Sequence, residues 1–106
     1  MIIAIDMDGV LCSEEKTFSR SLAKPIVGAA ESLRKIRKEG HKVIIYSARS
    51  WAELEMTQKW LEDNGFEYDG IHLGKITVDC FIDDRALGFK NWEDTLDLIK
   101  NFKKDN

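Results

Sequence analysis

The chain has 106 residues, 43% apolar and 33% charged, the balance of a soluble globular protein with one core, so a single domain over residues 1–106 is expected. Its net charge of −3 gives no basic field of the kind that tracks phosphate backbones, which argues against a nucleic-acid partner. Cys12 and Cys80 make neither a disulfide framework nor a zinc pattern, no apolar run approaches the ~18 residues of a membrane span, and no leader pattern is visible, so cytoplasm is the expected location.

Ile2 to Ile5 is a near-continuous apolar run, which suits a strand buried in a parallel sheet. Residues 7–24 are irregular and rich in Ser, Glu and Lys. Pro25 then opens a helix at its first turn, with Val27, Ala30, Leu33 and Ile36 at helical spacing and Gly40 as its stop. Val43 to Tyr46 is the second strand. Ser50 and Glu53 form a capping box for a second helix, whose apolar arc holds Leu54, Met56, Trp60 and Leu61 beside Thr57, and which ends at Gly65. Ile71 to Leu73 is a short third strand and Cys80 to Ile82 a fourth. Asn91 caps a last helix with Trp92, Leu96, Leu98, Ile99 and Phe102 on one face. This alternation predicts an α/β fold: a Rossmann-like three-layer sandwich around a mainly parallel sheet.

Sites in such sheets form at the carboxyl ends of the strands. There the sequence places Asp6 and Asp8 after the first strand, Ser47 and Arg49 after the second, and Asp83, Asp84 and Arg85 after the fourth, with Lys75 on a loop between. Carboxylates gathered this closely repel unless a cation joins them, and an all-oxygen set suits Mg²⁺. A lysine and a hydroxyl beside the metal would neutralise and bind a phosphoryl group. One carboxylate could then attack phosphorus, and the second, two residues on, could protonate the leaving oxygen.

These segments resemble the haloacid dehalogenase (HAD) superfamily of phosphatases. Ile3-Ala4-Ile5-Asp6-Met7-Asp8-Gly9-Val10-Leu11 is similar to its first motif, Ile44-Ile45-Tyr46-Ser47 to its second, Lys75 to its third and Phe81-Ile82-Asp83-Asp84-Arg85 to its fourth. The resemblance implies Asp6 as nucleophile and metal ligand. It implies Asp8 as general acid/base, with its carbonyl on the metal, and Ser47 and Lys75 as phosphate holders. Asp84 would be the direct metal ligand of the fourth motif, with Asp83 orienting it or binding a metal water. The short interval between Lys75 and Asp83 leaves no room for a full helix, as in the branch with a DDR fourth motif. The motif intervals also leave no room for a cap domain, so the site should be open unless a second copy of the chain covers it.

The implied activity is hydrolysis of a phosphate monoester of a small metabolite, such as a sugar phosphate, through an aspartyl-phosphate on Asp6. The alternatives are a nucleotide or polynucleotide-end phosphatase, a phosphoacceptor module, and a silent binding module. Arg49 is a substrate-binding candidate, although it and Arg85 could equally pair with surface carboxylates. Trp51 and residues 13–24 are the expected specificity element. Cys12, with no paired base in the sequence, is discounted as a nucleophile.

Overall fold

Ile2–Ile5 form β1, Lys42–Tyr46 form β2 and Gly70–His72 form β3. The computed structural model describes residues 1–15 and 19–102. β1 and β2 are rich in β-branched residues, which fit a pleated surface. The strands pair in parallel in the order β1-β2-β3, with Ile5 opposite Ile45 and Ile45 opposite Ile71. This register sends Val43 and Ile45 into the core, where both are fully buried. All three strands therefore finish at one rim.

α1 spans Ala29–Lys38 and packs on β2. Its buried residues Ala29, Leu33 and Ile36 recur every three or four positions, as the amphipathic pattern requires. The helix starts later than Pro25. Pro25 bridges to Cys12 instead, and its neighbours run back along the chain, with Ser13 N–H donating to Lys24 O at 2.8 Å and Ile26 N–H to Leu11 O at 2.9 Å. Gly28 makes the entry in a left-handed conformation, φ +85°, which glycine adopts without steric cost. Val27 consequently lies outside the helix and is 97% exposed, so its place on the expected apolar stripe is corrected.

The capping box forms as expected. Ser50 N–H donates to Glu53 Oε2 at 2.9 Å, and Ala52 N–H donates to Ser50 Oγ at 3.1 Å. A 3-10 turn, Trp51–Glu53, leads into α2, Leu54–Asp63, which buries Thr57, Trp60 and Leu61. α3, Trp92–Asn101, is capped by Asn91, whose Oδ1 accepts from Asp94 N–H at 2.8 Å, and it packs on α1. Trp92 and Ile99 are buried, whereas Leu98 is on the exposed side.

Two indoles fix the irregular segment after β1. Trp60 Nε1 donates to Ala23 O at 2.9 Å, and Trp92 Nε1 donates to Val10 O at 2.9 Å. Each buried ring thus satisfies its one donor while its apolar body fills the core.

The expected strand at Cys80 to Ile82 is absent from the sheet. Phe81 is 49% exposed and Ile82 fully so. Three apolar residues between Asp79 and Asp83 offer few ladder bonds, and two local contacts compete with pairing. The Lys75 ammonium sits 5.0 Å from the Phe81 ring centre, and Asp83 Oδ1 accepts from Arg85 N–H at 2.8 Å, closing a turn.

Candidate active site

Asp6 follows the last residue of β1, and its side chain is 40% exposed. Its Oδ1 accepts from Met7 N–H at 2.8 Å, and its Oδ2 faces Lys75 Nζ at 3.7 Å. The chain then turns tightly: Leu11 N–H donates to Met7 O at 2.8 Å and Gly9 N–H to Cys12 O at 2.8 Å. That turn carries Asp8 back over the end of the sheet, beside Arg49.

Ser47 follows β2 and is tied to both neighbouring elements. Its N–H donates to His72 O at 3.0 Å, and its carbonyl accepts from Lys75 N–H at 2.9 Å. Its Oγ accepts from Arg49 N–H at 3.1 Å, which leaves the hydroxyl proton available for another acceptor. Ser47 is fully buried.

Lys75 reaches the rim from the loop after β3. Gly74 before it takes φ +78°, and a Cβ there would lie 3.3 Å from Trp51 Nε1. A side chain at this position would be strained by the backbone and crowded by the indole. The Lys75 ammonium, 5.2 Å from the Tyr46 ring centre, is flanked by two aromatic faces, since Phe81 lies on its other contact. Trp51 is half exposed and meets His72 edge-on at 5.6 Å. Residues 16–18 of the expected specificity element lie outside the described residues.

Arg49, a candidate either for substrate binding or for pairing with a carboxylate, is fully buried. Its Nε donates to Asp8 Oδ2 at 3.0 Å and its Nη2 to Asp8 Oδ1 at 2.8 Å, and its Nη1 donates to Thr57 Oγ1 at 3.2 Å. Burial pushes the Asp8 carboxyl up, but the Arg49 hydrogen bonds and charge outweigh it and hold that carboxyl below its usual range. Burial, then the Asp8 charge, pushes the Cys12 thiol up to about 12, so Cys12 is no nucleophile at neutral pH. Thr57 and Tyr46 are the residues that the sequence reading left out of the site. Thr57 lies inside a helix at an ordinary core position and carries no signal of its role.

The four expected carboxylates do not converge. Asp6 and Asp8 share the rim, whereas Asp83 and Asp84 stand exposed on the unpaired segment. Among the described residues no three Asp, Glu, His or Cys side chains are grouped to hold a metal ion. The Arg49 pair engages the Asp8 carboxylate and leaves its carbonyl, the atom the resemblance assigns to the metal, untouched; with no third carboxylate grouped beside Asp6 and Asp8, the rim as it stands does not complete a Mg²⁺ ligand set. A groove of about 740 Å³ lined by Arg34, Arg37, Glu62 and Phe66 includes none of the rim residues. Its arginines are engaged there: Arg34 donates to Gly65 O at 2.9 Å, and Arg37 pairs with Glu67 at 3.1 Å and Asp69 at 3.0 Å.

Fold and rim together define a Rossmann-like α/β protein with no cap and an acidic site at the carboxyl end of its parallel sheet. The chain belongs to the haloacid dehalogenase-like hydrolase family, which matches residues 3–106. A crystal structure from Vibrio cholerae is similar at TM-score 0.72 and 24% identity, over 93% of this chain and 96% of that one. A conserved protein from Bacteroides thetaiotaomicron gives TM-score 0.70 and 27% identity, over 98% and 93%. A D,D-heptose bisphosphate phosphatase from B. bronchiseptica, crystallised with magnesium and phosphate, gives 0.52 and 17%, over 80% of this chain and 53% of that one. A search of curated proteins gave no match.

Proposed function

We propose that the chain is a Mg²⁺-dependent phosphatase that hydrolyses a phosphate monoester of a small metabolite, such as a sugar phosphate, through an aspartyl-phosphate on Asp6. The observation that carries this reading is the accessible carboxylate of Asp6 at a strand end, with the Lys75 ammonium 3.7 Å away. An Asp6 oxygen attacks phosphorus, the ester P–O bond breaks, and Lys75 offsets charge on the phosphoryl oxygens. Asp8, which Arg49 holds ionised before substrate arrives, must first take up a proton against that pull and then pass it to the leaving oxygen. In the second half, water attacks the phosphorus of the acyl phosphate, Asp8 accepts the water's proton, and Asp6 is released with inorganic phosphate. Ser47 would donate its hydroxyl proton to the bound group.

Magnesium comes to this proposal from the family and from the relative crystallised with magnesium and phosphate. Among the described residues the rim lacks a full Mg²⁺ ligand set. Asp84, with Asp83, is proposed to supply the missing oxygens. The net charge of −3 makes the polynucleotide version the weaker reading.

Phosphate release from an activated aryl ester is the direct test. Asp6→Asn preserves shape and removes the attacking charge, so turnover should fall by on the order of 10⁴-fold or more, given the large barriers of phosphate esters. Asp6→Asn with a substantial fraction of the original rate would rule out the covalent route.

A further inference from the structure

Arg49 is the only fully buried charged side chain among the described residues. A charge removed from water is tolerated when it is paired and its donors are met, and apolar packing usually does the structural job at lower cost. Here the guanidinium is directed at one target. Two of its nitrogens grip both oxygens of Asp8, at 3.0 and 2.8 Å, while the third rests on Thr57 Oγ1 at 3.2 Å. Its Nη2 also contacts Cys12 Sγ at 3.8 Å. The backbone of the same residue links two other parts of the rim. Arg49 N–H donates to Ser47 Oγ at 3.1 Å, and Arg49 O accepts from Gly74 N–H at 2.9 Å, one residue before Lys75.

The geometry points to Arg49, seated on Thr57, as the positioning residue that fixes the Asp8 carboxylate relative to Asp6, Ser47 and Lys75. A bidentate fork sets both the place and the rotation of a carboxylate, which a lysine ammonium acting as a point charge does not. Thr57 in turn fixes the fork, because its hydroxyl meets the nitrogen that Asp8 leaves over. Proton transfer depends on such placement, since acid and base must lie within hydrogen-bond reach of the reacting oxygen. Arg49 touches no substrate in this scheme and acts through Asp8. The role rests on the phosphatase reading above.

Thr57→Val removes the seat with little change of shape, and Arg49→Lys removes the fork while keeping the charge. Single-turnover phosphorylation is measured with an activated aryl phosphate, whose leaving group needs no proton, and with glycerol phosphate, whose leaving group does. In Thr57→Val the rate with glycerol phosphate should fall on the order of 10-fold further than the rate with the aryl ester, part of the 10²–10⁴ that positioned acid–base groups supply. Arg49→Lys should widen that gap, with phosphorylated Asp6 accumulating in both variants. Added guanidinium ion at low concentration should narrow it again in Arg49→Ala. Equal falls on both esters in Thr57→Val would show a merely structural role and overturn this assignment while leaving the phosphatase reading intact. No turnover of either ester by the unaltered protein would overturn that reading, and this role with it.

Discussion

Cys12 and Cys80 carry the same thiol in opposite surroundings. Cys12 is fully buried with its thiol pushed up to about 12, and Cys80 is exposed. Reaction needs thiolate and access, so at pH 8 a thiol reagent should label Cys80 in the native protein and both cysteines after unfolding. Peptide mass mapping reads the result, and labelling of native Cys12 at the rate of Cys80 would contradict its placement. The same shift sets an alkaline limb. The unfolded chain loses its Cys12 proton near the ordinary value of 9.0, before the folded one does, so stability present below pH 9 should decline from there towards 12. Cys12→Ala should flatten that decline in denaturant titrations across this range. Asp8 makes the complementary case for chemistry. Asp8→Asn should still accept phosphate from an activated aryl ester and then stall, because nothing takes the proton of the hydrolytic water. A phosphate-sized mass gain that disappears when Asp6→Asn is added would bear this out, and undiminished steady-state turnover would speak against it.

The tryptophans dominate at the level of elements. Trp92→Phe keeps a large ring but removes the bond to Val10 O, and should cost about 1–3 kcal/mol because the carbonyl is left without that partner. Leu61→Ala, in the fully buried face of α2, should cost about 2–5 kcal/mol. Phe81→Ser and Ile82→Ser sit on the exposed segment and should each shift stability by no more than about 0.5 kcal/mol in the same urea titrations. Losses of core size at Ile82 would mean that this segment packs. These elements also show what the sequence discloses. β1, β2, the Ser50–Glu53 box and the Asn91 cap were legible because each rests on local pattern: β-branched runs, and side chains that reach backbone donors a few residues away. The late start of α1 was not, since Pro25 is held by Cys12, thirteen residues earlier in the chain. Ile82 reads as a strand residue by composition, but pairing depends on a partner edge and on competition from Lys75 and the Asp83 turn. Arg49 could be recognised as part of the rim, while its inward turn towards Asp8 and Thr57 depends on tertiary packing that no spacing encodes.

The molecule as a whole is a parallel sheet whose β1 has one paired side, to β2, and whose acidic groups are divided between the rim and an exposed segment. A cation that needs oxygens from both must draw them together. Calorimetric titration with Mg²⁺ should therefore show weaker binding in Asp84→Asn than in the unaltered chain, and a chelator should abolish aryl-phosphate turnover. Equal Mg²⁺ binding by Asp84→Asn would remove that residue from the ligand set. The three indoles supply an independent way to follow such events. Trp60 and Trp92 are each 6% exposed, whereas Trp51 is 51% exposed and lies against Gly74, next to Lys75. Acrylamide should quench the emission of Trp51 and largely spare the other two. The chain thus carries its own optical reporter at the mouth of the site, and a non-hydrolysable phosphate analogue can be titrated by colour of emission alone, with occupancy read in the absence of any reaction.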